Sequence, residues 1–93
     1  MNFQDAARMQ HRRHSYYTVW LVAPTGQREE LALSQRRSGT ALISVLQRER
    51  VQALIKTRFP DHEQLTFKKR KDALLINNGW KIEFGGTIRQ EAS

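Results

Sequence analysis

The 93-residue chain contains no cysteine and no long apolar run. The absence of cysteine excludes a disulfide scaffold, a thiolate zinc site and thiol catalysis. Its longest apolar run, from Val19 to Ala23, is far shorter than the roughly 18–20 residues that a membrane-spanning helix needs. The first apolar cluster also comes too late for a secretory signal. We therefore expect a soluble protein of the cytoplasm with no membrane partner.

The sequence also lacks the common catalytic motifs, because it has neither a glycine-rich phosphate loop nor the paired histidines of a metalloprotease helix. Its three histidines are His11, His14 and His62, and none stands beside a plausible nucleophile. His11 and His14 have a spacing that suits a metal site on one helical face. Arg12 and Arg13 lie between them and would repel a cation. We predict no enzyme, no metal and no cofactor.

Acidic residues are few, with 9 Asp and Glu against 16 Lys and Arg, and the formal net charge is +7. The excess is concentrated in residues 1–14, in residues 40–60 and in the run from Lys68 to Lys71. Clustered cations attract polyanions and neutralise phosphates. The alternative is that these runs are only solvated surface.

With 39% hydrophobic and 27% charged residues, the composition is typical of a globular protein, and the length allows one small domain. We expect a basic, partly ordered arm over residues 1–14, an α+β domain over residues 15–86 and a flexible tail over residues 87–93.

Two strands are predicted near the start of the domain. Residues 16–22 are β-branched and aromatic, and residues 29–34 alternate between apolar and polar. Pro24 and Gly26 between them supply turn chemistry. The pattern therefore predicts a β-hairpin.

Residues 40–59 form the clearest helical segment, with Ser38 or Thr40 as the N-cap and Pro60 after its end. Its apolar residues change sides of the helix at Arg48 to Arg50. Either the helix kinks there or it is buried on two sides.

After the helix, residues 65–67 are predicted as a strand and residues 68–72 as a charged turn. Apolar residues 73–76 and alternating residues 80–84 flank Asn77, Asn78 and Gly79. This pattern favours a hairpin with a type I′ turn. The alternative is a helix from Lys69 to Asn78 with Gly79 as its cap.

The resulting order, ββ-α-β(β)β, resembles the β-grasp (ubiquitin-like) architecture over about residues 17–86. The resemblance implies a mixed or antiparallel sheet with one main helix on one face. Gly85 and Gly86 are similar to the diglycine at which ubiquitin-like modifiers end, but residues 87–93 follow and would have to be removed. The expected core comprises Val19, Leu21, Leu31, Leu33, Leu42, Leu46, Phe67, Ile82 and Phe84.

If a single helix covers one face of the sheet, the other face would carry Tyr16 and Trp20 beside Lys68 and Lys81. A basic face with aromatic side chains suits single-stranded bases. It also suits a protein partner, or it can be covered by the N-terminal arm or by a second subunit.

We therefore predict a non-enzymatic, basic binding or regulatory protein that binds DNA or RNA. The candidate binding residues are Arg12, Arg13, Tyr16, Trp20, Arg48, Arg50, Lys68, Lys69, Arg70 and Lys71. The alternative is a protein-interaction module or inhibitor, of a kind encoded by phages or plasmids, that docks on an acidic surface of a host protein complex. A third reading is a homo-oligomer formed through the face with Tyr16 and Trp20.

Overall fold

The computed structural model describes the chain path of residues 13–92 and the side chains of residues 16–85. Within these residues the protein is a small α+β domain, with a five-stranded antiparallel sheet and two α-helices. The strands are β1 (Arg13–Val22), β2 (Arg28–Ser34), β3 (Phe67–Arg70), β4 (Ala73–Ile76) and β5 (Lys81–Ala92). The helices are α1 (Gly39–Leu46) and α2 (Glu49–Arg58), and a 3₁₀ turn (His62–Gln64) precedes β3.

The strand order across the sheet is β2-β1-β5-β4-β3, and every neighbouring pair is antiparallel. The α+β class is thus confirmed, whereas the β-grasp-like ordering is not. Strand β5 continues through Gly85 and Gly86 to Ala92, so residues 87–92, expected as a tail, belong to a strand. Of the expected arm, residues 13 and 14 lie in β1, and residues 1–12 lie outside the described part of the chain.

The first hairpin is confirmed, and it contains a bulge that the alternation of residues did not predict. Gly26 takes a φ of +93°, and the Ala23 N–H donates to the Gln27 carbonyl at 2.7 Å. In the register of β1 with β2, Val19 lies opposite Ala32, but Trp20 lies opposite Glu30. Residue 31 is therefore an extra residue in β2. Each later residue of β2 faces the side of the sheet opposite to the one that simple alternation predicts.

The prediction of one helix is wrong, because the chain forms two helices that meet where the apolar pattern changes sides. Helix α1 ends at Leu46, and α2 begins at Glu49 after an extended Arg48 with ψ of 136°. Each helix turns its own apolar side to the core, Leu42 and Val45 from α1 and Val51 and Ile55 from α2. The expected N-cap is confirmed at Ser38, whose Oγ accepts from the Ala41 N–H at 3.0 Å.

The charged turn predicted at residues 68–72 is wrong in its extent. Lys68, Lys69 and Arg70 belong to β3, and only Lys71 and Asp72 lie in the turn to β4. Strand β3 is an edge strand, where lysines are common because they discourage pairing with other chains. Lys71 takes a positive φ of 50°, which completes the tight turn.

The second predicted hairpin is confirmed, since β4 pairs with β5 around Asn77 to Gly79, and the helical alternative is wrong. The type I′ turn is wrong as well, because Gly79 (φ +94°) has a positive φ and Asn77 and Asn78 do not. The Gly79 N–H donates to the Ile76 carbonyl at 3.0 Å. The connection is thus a longer loop with glycine at its left-handed position.

The core lies between the sheet and both helices. Of the expected members, six are buried: Val19, Leu21, Leu31, Leu42, Ile82 and Phe84. Leu46 and Phe67 pack partly buried against them, whereas Leu33 is outside the core, because the bulge moves it to the other face of the sheet. The core also contains Val45, Val51, Ile55, Phe59, Leu74 and Ile76, which the sequence analysis did not predict.

No helix among the described residues is long and apolar enough to cross a membrane.

Candidate functional site

The two faces of the sheet differ in what covers them. Consecutive residues of a strand point to opposite faces, and the helices pack on the face that carries Val19, Leu21 and Ile82. Within the described residues, no helix covers the opposite face, which we call the open face. Its composition follows from the strand registers.

The first set of residues on the open face is a row that crosses all five strands. From β2 to β3, residues directly opposite one another in the register are Arg28, Val22, Lys81, Leu75 and Lys68. We call this set the basic row. Its cations lie on β2, β5 and β3, and they alternate with aliphatic residues on β1 and β4.

A second row lies beside the first. In the same strand order, it consists of Glu30, Trp20, Glu83, Ala73 and Arg70. The two rows are linked by an ion pair between Lys81 Nζ and Glu83 Oε1 at 3.5 Å, with both side chains partly exposed. Because such exposed pairs are weak and screened by salt, Lys81 can exchange this partner for another anion.

Trp20 is held between two neighbours on the open face. A Cβ atom placed on Gly85 would meet Trp20 Nε1 and Cδ1, the latter at 2.8 Å, so the indole lies directly against the backbone of β5. The Arg28 guanidinium lies over the same ring, 4.3 Å from its centroid. The indole Nε1 is buried and has no hydrogen-bond partner among the described residues. Trp20 therefore fixes the position of the Arg28 guanidinium.

The four cations of the predicted set in β3 and its turn do not share one face. Lys68 and Arg70 lie on the open face, and both are exposed. Lys69 lies on the helix side, where its Cδ would be 2.7 Å from a Cβ on Gly39. Lys71 lies in the turn, and its carbonyl oxygen also faces Gly39.

Arg48 and Arg50 lie at the other edge of the sheet, where α2 begins beside β2. Arg48 Nη1 donates to the Leu33 carbonyl oxygen at 2.7 Å. Arg12 and the side chain of Arg13 lie outside the described part of the chain, as do the side chains of His11 and His14.

Tyr16 does not lie in the two rows that contain Trp20. It lines a cleft of about 520 Å³ together with Ser34, Ser38, Ser44 and other residues around α1. The eight predicted binding residues whose side chains the structure describes therefore do not form one continuous surface. The structure brings together Trp20, Lys68 and Arg70 on one face.

Two cations that lie on the open face were missing from the predicted binding set. Lys81 was expected on this face, but it was not counted among the binding residues, and Arg28 was not considered. The hairpin register is the signal that would have found Arg28, since it lies opposite Val22 and diagonal to Trp20. Diagonal neighbours in a sheet are within reach of long side chains.

Metal chemistry finds no support in the described residues, which contain no group of three or more His, Cys, Asp and Glu side chains placed to hold an ion. Similarity to known proteins does not indicate a function for the open face either. Comparisons with protein-family models, with curated proteins and with solved structures find no match to this chain.

Proposed function

We propose that the chain is a non-enzymatic protein that binds single-stranded nucleic acid on the open face. The observation that supports this most is the basic row, in which three cations cross the sheet on the face that the helices leave uncovered. Single-stranded nucleic acid combines a negative backbone with bases that stack or pack on flat side chains. The open face offers a partner for each of these parts.

The phosphates would bind along the basic row. Neighbouring strands lie about 4.8 Å apart, so Arg28, Lys81 and Lys68 repeat at intervals of roughly 10 Å across the sheet. Arg70 lies next to Lys68 along β3, on the same face. A nucleic-acid strand that crosses the sheet along this row would meet a cation at β2, at β5 and at β3.

The bases would stack on Arg28 rather than directly on Trp20. The guanidinium over the indole presents its outer plane to solvent, and guanidinium planes stack on bases. Trp20 would contribute by keeping the Arg28 guanidinium over its ring. Leu75, which is 39% exposed, adds an apolar contact near the β3 edge.

The experiment is a titration of labelled single-stranded DNA, single-stranded RNA and duplex DNA at several salt concentrations. For single strands, the slope of log K against log salt changes by about 0.7 for each phosphate contact. We expect Arg28→Ala and Lys81→Ala each to reduce the slope by about that amount. The matched control is Lys56→Ala, which removes one charge from an exposed position of α2.

Slopes that are the same in all three variants would overturn the phosphate assignment. Binding of single strands that does not respond to salt would overturn the proposed function itself. Tighter binding of duplex than of single strands would contradict the role given to the Arg28 plane.

A second candidate function is docking on an acidic protein partner, and the exposure of Leu75 between two lysines favours it. Exposed apolar residues ringed by charges are common at protein interfaces. In that case Leu75→Asp would abolish a stoichiometric protein complex that survives nuclease. Under the first proposal, the same substitution places a carboxylate between two cations of the basic row and should reduce the salt slope by about 0.7.

A further inference from the structure

A groove follows the free edge of the sheet, and two of its lining residues, Glu30 and Leu33, border the open face. It has a volume of about 460 Å³ and is lined by β2 and by the start of α2. Its β2 residues are Glu30, Leu31, Ala32 and Leu33. Because successive strand residues point to opposite faces, a groove that touches four in succession runs along the outer edge of the strand.

The outer edge of β2 is protected by the bulge at Leu31 and by the Arg48 guanidinium on the Leu33 carbonyl, and not by lysines as the opposite edge is. Strand β2 pairs only with β1, so its outer backbone groups face the groove. Strand β3 carries two lysines and an arginine along its length. The part of β2 that lines the groove instead contains the apolar run of residues 31–33. Val51 and Leu54 of α2 extend the apolar lining on the other side of the groove.

The groove also has a charge polarity along its length. Arg48 and Arg50 lie on the α2 side, and Arg48 Nη1 donates to the carbonyl oxygen of Leu33, at one end of the β2 lining. Glu30 lies at the other end of that lining. Both arginines are exposed, so the end of the groove at Leu33 favours a carboxylate.

We propose that this groove binds an extended acidic peptide as a sixth strand beside β2. The peptide's backbone would bond to the outer edge of β2, as in β-strand addition, and its apolar side chains would pack on Leu33, Val51 and Leu54. A peptide N–H at Leu33 replaces the Arg48 guanidinium there. Arg48 is thereby released, and Arg48 and Arg50 can both bind a carboxylate of the peptide.

The test uses two blocked peptides with the same central run of valine and threonine, one flanked at both ends by glutamates and the other by lysines. We expect the acidic peptide to bind and to slow amide hydrogen exchange at residues 31–33. Arg50→Glu should weaken this binding about fivefold or more, in the range of a favourable charge pair. An acidic residue in the first turn of α2 suits the helix dipole, so this variant should fold normally.

The matched control is Lys56→Glu, which makes the same charge change on α2 at a residue that does not line the groove. It should leave the affinity within about twofold of the wild type. Equal binding of the acidic and basic peptides, no measurable binding, or exchange protection at β3 instead of β2 would each overturn the proposal. None of these outcomes bears on nucleic-acid binding, which uses the open face.

Discussion

The two tryptophans show how neighbouring residues decide what an aromatic side chain does. Trp80 packs on the helix side, edge-to-face with Phe59 at 5.1 Å between ring centroids. Trp20 instead lies on the open face against Gly85, with Arg28 over its ring. The first tryptophan completes the core, whereas the second organises a cation at the surface.

The contact between Trp20 and Gly85 predicts a large effect from one added methyl group. In Gly85→Ala, the new Cβ would overlap the indole ring, so Trp20 must move off the sheet. We expect a loss of about 1–3 kcal/mol in the free energy of unfolding, measured by urea denaturation. In a Trp20→Ala background, the same change should cost less than about 0.5 kcal/mol, because the two positions are coupled. An equal cost in both backgrounds would show that the indole does not occupy this space.

The stack of Arg28 on Trp20 makes a second prediction at this scale. In a Trp80→Phe background, Trp20 is the remaining one of the two tryptophans. Arg28→Ala should then increase quenching of its fluorescence by acrylamide and cost about 0.5–1 kcal/mol of stability, the range of an exposed cation–π contact. Arg50→Ala is the control and should leave the quenching unchanged. Equal quenching in both variants would contradict the stack.

At the scale of the elements, α1 is held against the β3–β4 turn by a close contact. A Cβ on Gly39 would lie 2.5 Å from the Lys71 carbonyl oxygen and 2.7 Å from Lys69 Cδ. Arg37 Nε also pairs with Asp72 Oδ2 at 3.1 Å across the same junction. The start of the helix and the turn therefore pack as one unit.

Gly39→Ala tests this junction, because close packing and helix propensity predict opposite changes in the free energy of unfolding. Alanine is the better helix former by about 1 kcal/mol, yet the clash with backbone should destabilise the protein by about 1–3 kcal/mol. Thr40→Ala, at the next and exposed position, should change stability by less than about 0.5 kcal/mol. Urea denaturation of both variants is the measurement. A gain in stability for Gly39→Ala would contradict the close packing of α1 on the turn.

The sequence predicts those elements in which local chemistry decides the structure. Both hairpins follow from turn residues between apolar strands, and the Ser38 cap follows from its place before the helix. The helix break at Arg48 appears in the sequence only as a change of apolar side, because a kink and burial on two sides leave the same pattern. Tertiary packing of two short helices decides between them.

The candidate site is less predictable, since it depends on register. The bulge at Leu31 adds one residue to β2 and thereby moves Leu33 out of the core. The register set by the turn, in which Arg28 lies opposite Val22, is what places Arg28 diagonal to Trp20. Lys68 lies on the same face as Trp20, as expected. Tyr16 lines the cleft beside α1, outside the two rows.

For the whole molecule, the net charge is +7, and the basic side chains of residues 16–85 do not form a single patch. Lys68 and Arg70 face outward from the sheet, Lys69 packs by α1, and Arg48 and Arg50 lie beyond β2. The fold thus separates the cations of the open face from those at the edge groove and those beside α1. Total charge steers polyanions in general, whereas the basic row provides a defined path.

The comparison of Lys68 with Lys69 tests the central claim most directly. These two lysines are adjacent in β3, and changing either to alanine removes one positive charge. Only Lys68 lies on the open face. The measurement is the slope of log K against log salt for a single-stranded oligonucleotide. We predict that Lys68→Ala reduces the slope by about 0.7 and that Lys69→Ala leaves it unchanged. Equal reductions in both variants would contradict the open face as the binding surface.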